Sequence, residues 1–252
     1  MKFEIDRSEV LRYLQTSKDL KDENIMQLIS ESSAEVKDLI DFRYLYKKFP
    51  AEISEKGIKI LNTTLTLKGK SIKKHLKKSP EVYLMAVTLG VQIDKKISLY
   101  DKTSVTKAVI FDACSTAAVE EGCDKVEAEI KRKALSEGYK DITFRYSPGY
   151  GDLSTEVQKE LLRILNAPKK IGLTASKYNM LQPNKSVTAV IGVLTEKTAR
   201  DREFNNIGGF NDRGEFNSKN RDLEFEKRHC SQCNLYNDCE LRRKGIYCGA
   251  KK

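Results

Sequence analysis

The chain has no tryptophan, only five prolines and only two histidines among its 252 residues. It also lacks any apolar run of about 18 residues, the length that a transmembrane helix needs, so we expect no membrane-spanning segment. Its first ten residues mix charges of both signs, which is not typical of a secretory signal. Apolar residues still make up 39% of the chain, enough for one substantial core. We therefore expect a cytoplasmic protein with one main domain.

The charge balance is basic, with 46 lysines and arginines against 36 acids and a formal net charge of +10. Such a balance favours acidic partners, although most of the charges alternate in sign as they do on any solvated helix surface. One run contains lysines and no acid: Lys68, Lys70, Lys73, Lys74, Lys77 and Lys78. It is either a solvated face or a docking patch for an acidic protein. Because no aromatic residues are interleaved with these lysines, nucleic acid is an unlikely partner.

The spacing of apolar residues predicts an α+β fold, in which a twisted, mainly antiparallel sheet packs against long helices. Helices are predicted over residues 23–48, 71–78 and 104–138, and a further helix follows Thr155. Strands are predicted over residues 58–67, 82–89, 142–146, 171–175 and 187–194. The apolar pattern stops near residue 196, so we place the main domain at 1–196 and a loop-rich connector with a cysteine-rich tail at 197–252.

The tail carries four cysteines with two, five and eight residues between them: Cys230, Cys233, Cys239 and Cys248. Four soft ligands so close together in a cytoplasmic chain are typical of a metal site. Zinc would stabilise a tail that has too few apolar residues to fold alone, whereas a 4Fe–4S cluster would use the same thiolates and also carry an electron. The cysteine spacing is compatible with either zinc or a 4Fe–4S cluster. The other two cysteines, Cys114 and Cys123, lie on the predicted long helix and are interpreted as structural thiols.

The strongest functional pattern is the segment from Arg145 to Asp152, in which a strand end runs into a Pro-Gly turn. Arginine can hold a carboxylate through two parallel hydrogen bonds, and Gly149 and Gly151 allow close backbone approach. The pattern suits an anionic or zwitterionic small ligand. The alternative is a structural turn in which Arg145 pairs with an acid such as Asp152.

The arrangement of Arg145, Gly149 and Tyr150 resembles the activation, or reactivation, domain of cobalamin-dependent methionine synthase, a family that binds S-adenosylmethionine. Shorter stand-alone members of that family are still more similar. The similarity covers most of the chain between residues 8 and 193, in order, through residues 9–14, 88–90, 117–120, 145–152 and 183–188.

This resemblance implies that Arg145 holds the carboxylate of S-adenosylmethionine, that the backbone around Ser147 and Gly149 contacts the ligand, and that Tyr150 lies against it near the corrinoid. The ligand ammonium also needs an acceptor. Glu120 and Asp152 are the candidate acceptors. Lys185 and Ser186, which precede the last predicted strand, either line the same cleft or form an ordinary turn. For Glu120, the alternative is an exposed acid paired with a lysine.

The family's axial-ligand motif for cobalamin, an Asp two residues before a His, is missing. Lys73 and Lys227 stand two residues before His75 and His229. The resemblance therefore implies that cobalamin is held by a partner corrinoid protein and that an electron donor such as flavodoxin or ferredoxin completes the system. Two alternatives remain: a reactivator of another corrinoid methyltransferase, and a basic nucleic-acid-binding module with a zinc knuckle.

Overall fold

The computed structural model describes residues 2–16 and 22–195. These residues form seven helices and eight strands. In chain order they are α1 (Arg7–Tyr13), α2 (Glu23–Leu39), β1 (Arg43–Ser54), β2 (Gly57–Ile60), β3 (Thr66–Leu67), α3 (Lys70–Leu76), β4 (Glu81–Thr88), α4 (Val91–Thr103), α5 (Val105–Ser136), β5 (Asp141–Ile142), α6 (Val157–Leu165), α7 (Ala167–Ile171), β6 (Thr174–Ala175), β7 (Leu181–Gln182) and β8 (Ser186–Leu194).

Six strands form one sheet in the order β3-β2-β1-β4-β8-β5, and all five neighbouring pairs are antiparallel. Strands β6 and β7 form a separate two-stranded hairpin. This architecture confirms the predicted α+β fold with an antiparallel sheet. Strand β5 lies at one edge of the sheet, and the segment that carries Arg145 follows it directly.

The sheet lies between two layers of helices, and β4 shows why. Successive side chains of a strand point to opposite faces. Tyr83, Met85 and Val87 pack with helices α1, α2, α4 and α5 on one face, whereas Leu84 and Ala86 pack with α3, α6 and α7 on the other. Because both faces are covered, β4 is apolar along almost its whole length instead of alternating with polar residues.

The long helix α5 occupies the centre of the first layer. Ser104 caps its N-terminus by accepting a hydrogen bond from the backbone N–H of Lys107, as predicted for a helix that begins there. Its small residues allow close packing: a Cβ at Gly122 would lie 2.5 Å from the ring of Phe42. Both cysteines of this helix are buried free thiols, and burial raises the pKa of each. Cys114 and Cys123 are therefore structural, as the sequence indicated.

Several predicted elements have different boundaries in the structure. The strand predicted over 142–146 is regular only in β5, and the strand predicted over 171–175 begins with the last residue of α7 and is regular only in β6. The helix predicted over 23–48 ends at Leu39, and the residues from Arg43 onward form strand β1, which includes Pro50. Pairing with β4 decides this conformation, since Tyr44 and Tyr46 lie opposite Val87 and Met85 in the sheet. The strand predicted over 58–67 is a hairpin of two short strands, β2 and β3.

The helices of the described residues include none that is both long and apolar enough to cross a bilayer. The boundary predicted at 196 and the cysteine-rich tail at 197–252 lie outside the described residues. The tail's four cysteines therefore stay a prediction from the sequence.

Candidate functional site

The candidate site begins after the edge strand β5, in the residues that lead into the turn at 147–152. Tyr146 is paired with Val190 of β8 through two backbone hydrogen bonds of 2.9 Å, which hold this segment against the sheet. Its side chain is buried in the layer of α3 and α6. The preceding side chain, Arg145, points to the opposite face and meets helix α5, as the alternation of a strand requires.

Arg145 forms ion pairs with three carboxylates of α5. Its guanidinium nitrogens lie 2.7 Å from Glu120, 2.7 Å from Asp124 and 2.8 Å from Glu127. The arginine side chain is only 22% exposed. Burial alone would lower its pKa, but Cys123 and the three carboxylates raise the pKa of Arg145 overall, so the guanidinium stays charged. We call these four residues the Arg145 cluster.

The Arg145 cluster has more negative than positive charge. Three carboxylates against one guanidinium leave a surplus of two negative charges when all are ionised. The acids can reach one arginine because they follow one another by four and three residues along α5, and such positions share a helix face. This arrangement combines one donor for an anionic group with several acceptors for cationic groups.

The sequence named Glu120 as a candidate and did not single out Asp124 or Glu127. It also considered Glu120 as an acid paired with a lysine, whereas the structure pairs it with Arg145 at 2.7 Å. The signal that would have found the other two is their spacing, since all three acids recur on one face of a helix that was correctly predicted.

Asp152 lies elsewhere, so the predicted Arg145–Asp152 pair is not the one that the structure contains. Its carboxylate accepts hydrogen bonds from the backbone N–H groups of Lys70 and Ser71, at 2.5 and 3.0 Å, at the start of α3. Burial by itself would raise the pKa of Asp152, but these backbone hydrogen bonds lower it overall. Asp152 therefore joins the turn to α3.

The turn between these two residues is closed by its own backbone. The N–H of Gly149 donates to the carbonyl of Leu153 at 2.8 Å, and the N–H of Tyr150 donates to that of Ser147 at 3.1 Å. Gly151 has a φ of +53°, and a Cβ there would lie 2.2 Å from the hydroxyl of Tyr146, so only glycine fits. The turn is thus a rigid support.

Tyr150 is the large side chain that this turn exposes. It is 59% exposed, and its ring centroid lies 6.2 Å from that of Tyr146. Gly149 is exposed and Ser147 is half-buried. Tyr150 is therefore placed at the sheet edge, on the side of α3, whereas the guanidinium of Arg145 lies on the side of α5.

Lys185 lies on the α5 side as well. Its ammonium is 2.8 Å from the carboxylate of Asp112 and donates to the hydroxyl of Thr116, also at 2.8 Å. Asp112, Thr116 and Glu120 are spaced by four residues, so they form one polar row along α5. One helical turn, about 6 Å, separates the residues that hold Lys185 from those that hold Arg145.

Ser186 points to the other face of the sheet. Its hydroxyl lies 2.8 Å from the hydroxyl of Thr88 and 2.7 Å from the carbonyl oxygen of Pro183. The structure therefore joins Arg145, Glu120 and Lys185 along one face of α5. Ser186, Asp152 and Tyr150 lie on the opposite side or at the edge.

Two surface clefts flank the first helix layer. One, of about 410 Å³, opens beside the Lys185 end of the polar row and is lined by Tyr13, Ile97, Asp112 and Thr116 among others. The other, of about 570 Å³, lies between the N-terminal segment and α2. Among residues 2–16 and 22–195, no group of three or more histidine, cysteine or acidic side chains is arranged to hold a metal ion.

Fold and site together define a class of protein: an α+β domain whose antiparallel sheet lies between two helix layers, with an arginine held among carboxylates at the sheet edge. No protein-family model matches the chain, and no curated protein is similar to it in sequence.

Among solved structures, it is similar to the crystal structure of the MetH reactivation domain bound to AdoHcy, with a TM-score of 0.55 and 12% sequence identity. The similarity covers 94% of this chain and 77% of the other. At this identity the likeness shows a shared fold.

Proposed function

We propose that this protein is an accessory, or activation, protein of a split cobalamin-dependent methionine synthase. It binds S-adenosylmethionine and presents it for reductive methylation of cob(II)alamin on a partner corrinoid protein. The observation that carries the proposal is the fold shared with a reactivation domain whose crystal structure holds AdoHcy. The Arg145 cluster at the sheet edge supports it, because its charges suit the amino-acid end of such a ligand.

The charges of the ligand match those of the Arg145 cluster. S-adenosylmethionine carries one carboxylate, one ammonium and one sulfonium. Its carboxylate can take a place on Arg145 that one protein acid now occupies, which leaves that acid to accept the ligand ammonium. Glu120 is our candidate for this acid, since it bonds the opposite guanidinium nitrogen from Asp124 and Glu127. The ligand has a net charge of +1, so its binding reduces the surplus of two negative charges to one.

The remaining predicted residues have more limited roles in this proposal. Backbone atoms around Ser147 and Gly149 form one border of the site. Tyr150 offers an exposed flat ring to the ligand and its surroundings. Lys185 extends the polar row on α5. Asp152 and Ser186 help to hold the turn and the start of strand β8 in place. Both form hydrogen bonds with groups on the face of the sheet opposite the guanidinium of Arg145.

S-adenosylmethionine, when bound, supplies an activated methyl group. This chain's own contribution is positioning: Arg145 and its acids fix the amino-acid end, and the rigid turn fixes the edge along which the ligand lies. Cobalamin and the electron donor, such as flavodoxin or ferredoxin, belong to other chains. A reactivator of another corrinoid methyltransferase would use the same site, so the corrinoid protein that binds the chain distinguishes the two.

Titration calorimetry at low salt tests the proposal. We expect S-adenosylmethionine to bind at least about tenfold more tightly than AdoHcy, because the sulfonium adds one positive charge near a surplus of carboxylates. The difference should shrink as salt is raised. Adenosine, which lacks the amino-acid end, should not bind measurably.

Equal affinities for S-adenosylmethionine and AdoHcy would contradict this use of the Arg145 cluster. Absence of S-adenosylmethionine binding, together with salt-dependent binding of single-stranded DNA, would instead support the nucleic-acid module.

We further propose that residues 197–252 form a separate unit in which Cys230, Cys233, Cys239 and Cys248 hold a 4Fe–4S cluster, with zinc as the alternative. Reactivation consumes an electron, and a 4Fe–4S cluster can carry an electron whereas zinc cannot. Purification without oxygen should yield a brown protein with about four irons per chain. A colourless protein with stoichiometric zinc would exclude the redox role and leave a structural one.

A further inference from the structure

The outer face of α3 is a row of exposed lysines. Ile72 and Leu76 are fully buried beneath the helix. At 100° per residue, Lys70, Lys74 and Lys77 fall together on the opposite side, where all three are exposed. Lys68 and Lys73 flank them. We call these five residues the α3 lysine face. Within the described part of the chain, the ammonium groups of Lys70, Lys74 and Lys77 form no ion pair.

The helix itself accounts for only part of this charge. Lysines in a last turn interact favourably with the helix dipole, which explains Lys73 and Lys74. Lys70 lies in the first turn, where a positive charge is unfavourable. The carboxylate of Asp152 compensates for it by binding the first backbone N–H groups of α3. The helix dipole therefore does not account for the positive charge at Lys70.

The α3 lysine face adjoins the turn that carries Tyr150. Asp152 belongs to that turn and bonds directly to the first residues of α3. Ring contacts continue the connection, with centroids 6.2 Å apart for Tyr150 and Tyr146 and 5.0 Å apart for Tyr146 and His75 of α3. A protein that approaches the exposed ring of Tyr150 therefore also covers the start of α3.

We propose that the α3 lysine face is the docking surface for an acidic face of the corrinoid protein. The proposal rests on the proposed function, since methyl transfer to cobalt requires the partner to approach the Tyr150 turn closely. Charge complementarity then predicts carboxylates on the partner where it meets α3, and it steers the encounter as well as fixing the orientation.

The test uses a fluorescent deca-glutamate peptide as an acidic probe and measures its anisotropy with the full chain at low salt. In one variant Lys70, Lys74 and Lys77 are changed to glutamate. In a matched control the same charge change is made at Lys37, Lys95 and Lys102, exposed residues of the opposite helix layer. We expect the α3 variant to bind at least about tenfold more weakly and the control to change by less than about threefold.

A photo-crosslinker on the peptide gives a second measurement, with crosslinks expected within residues 68–78 and 147–152. Equal losses in the two variants would mean that the probe responds to overall charge, and this would overturn the proposal. Tighter binding of a ten-nucleotide single-stranded DNA through the same lysines would overturn it in favour of nucleic acid.

S-adenosylmethionine titration separates this proposal from the proposed function. Both variants should bind S-adenosylmethionine as the unaltered chain does, because their lysines lie away from the Arg145 cluster. Loss of peptide binding with normal S-adenosylmethionine affinity supports the docking surface. Failure of the unaltered chain to bind S-adenosylmethionine refutes the proposed function, and with it the assignment of the corrinoid protein as the occupant of this face.

Discussion

Replacing Arg145 by alanine should abolish S-adenosylmethionine binding or weaken it at least about tenfold in titration calorimetry. A charge-assisted hydrogen bond contributes roughly 1.5 to 3 kcal/mol, and about 1.4 kcal/mol corresponds to a factor of ten. The substitution removes the group proposed to hold the ligand carboxylate. It also takes the guanidinium away from Glu120, Asp124 and Glu127, which adds repulsion toward that carboxylate.

Two further variants make this result interpretable. Arg145→Lys keeps the positive charge but loses the planar fork, so it should fold more readily than the alanine variant and still bind more weakly than arginine. Arg163→Ala removes an arginine that pairs with Glu160 on α6 and is 65% exposed. It should leave the affinity unchanged. Unaltered S-adenosylmethionine affinity in a folded Arg145→Ala protein would remove Arg145 from the site.

The largest loss of stability should come from Phe111→Ala, at roughly 3 to 5 kcal/mol. Phe111 is fully buried near the start of α5, and its ring meets that of Tyr100 edge to face at 5.5 Å. Truncation therefore leaves a cavity between α4 and α5 and removes an aromatic pair. Urea unfolding followed by circular dichroism should show a lower midpoint than for the unaltered chain.

Substitutions of graded size check that this loss reflects packing. Phe111→Leu fills more of the space and should cost clearly less than alanine. Val109→Ala, two residues earlier on the same helix, changes a side chain that is 54% exposed and should shift the midpoint little. A Phe111→Ala midpoint equal to that of Val109→Ala would contradict the packing described for the first helix layer.

The central strands could be predicted from the sequence because their local pattern and their surroundings agree. Strands β4 and β8 are short apolar runs bounded by turns, and each is covered on both faces. The boundary between α2 and β1 could not be predicted in the same way. Residues after Leu39 have apolar side chains at spacings that suit either a helix or a strand, and the choice is made by pairing with β4, which is distant in the sequence.

The site shows the same division between local and distant information. The turn chemistry singled out Arg145, and the family resemblance added Glu120, which the structure brings to within 2.7 Å of it. The sequence alone could not tell which acids surround the arginine. That depends on how α5 crosses the sheet edge, and Asp152, the nearer acid along the chain, is taken up by the start of α3.

The negative surplus around Arg145 also bears on turnover. In the proposed reaction the ligand arrives with a sulfonium and leaves as a neutral thioether, so each methyl group given away removes one of the charges that held the molecule in place. Spent ligand would then dissociate readily, and a fresh molecule would replace it. Under the proposed function, the by-product would therefore not block the site.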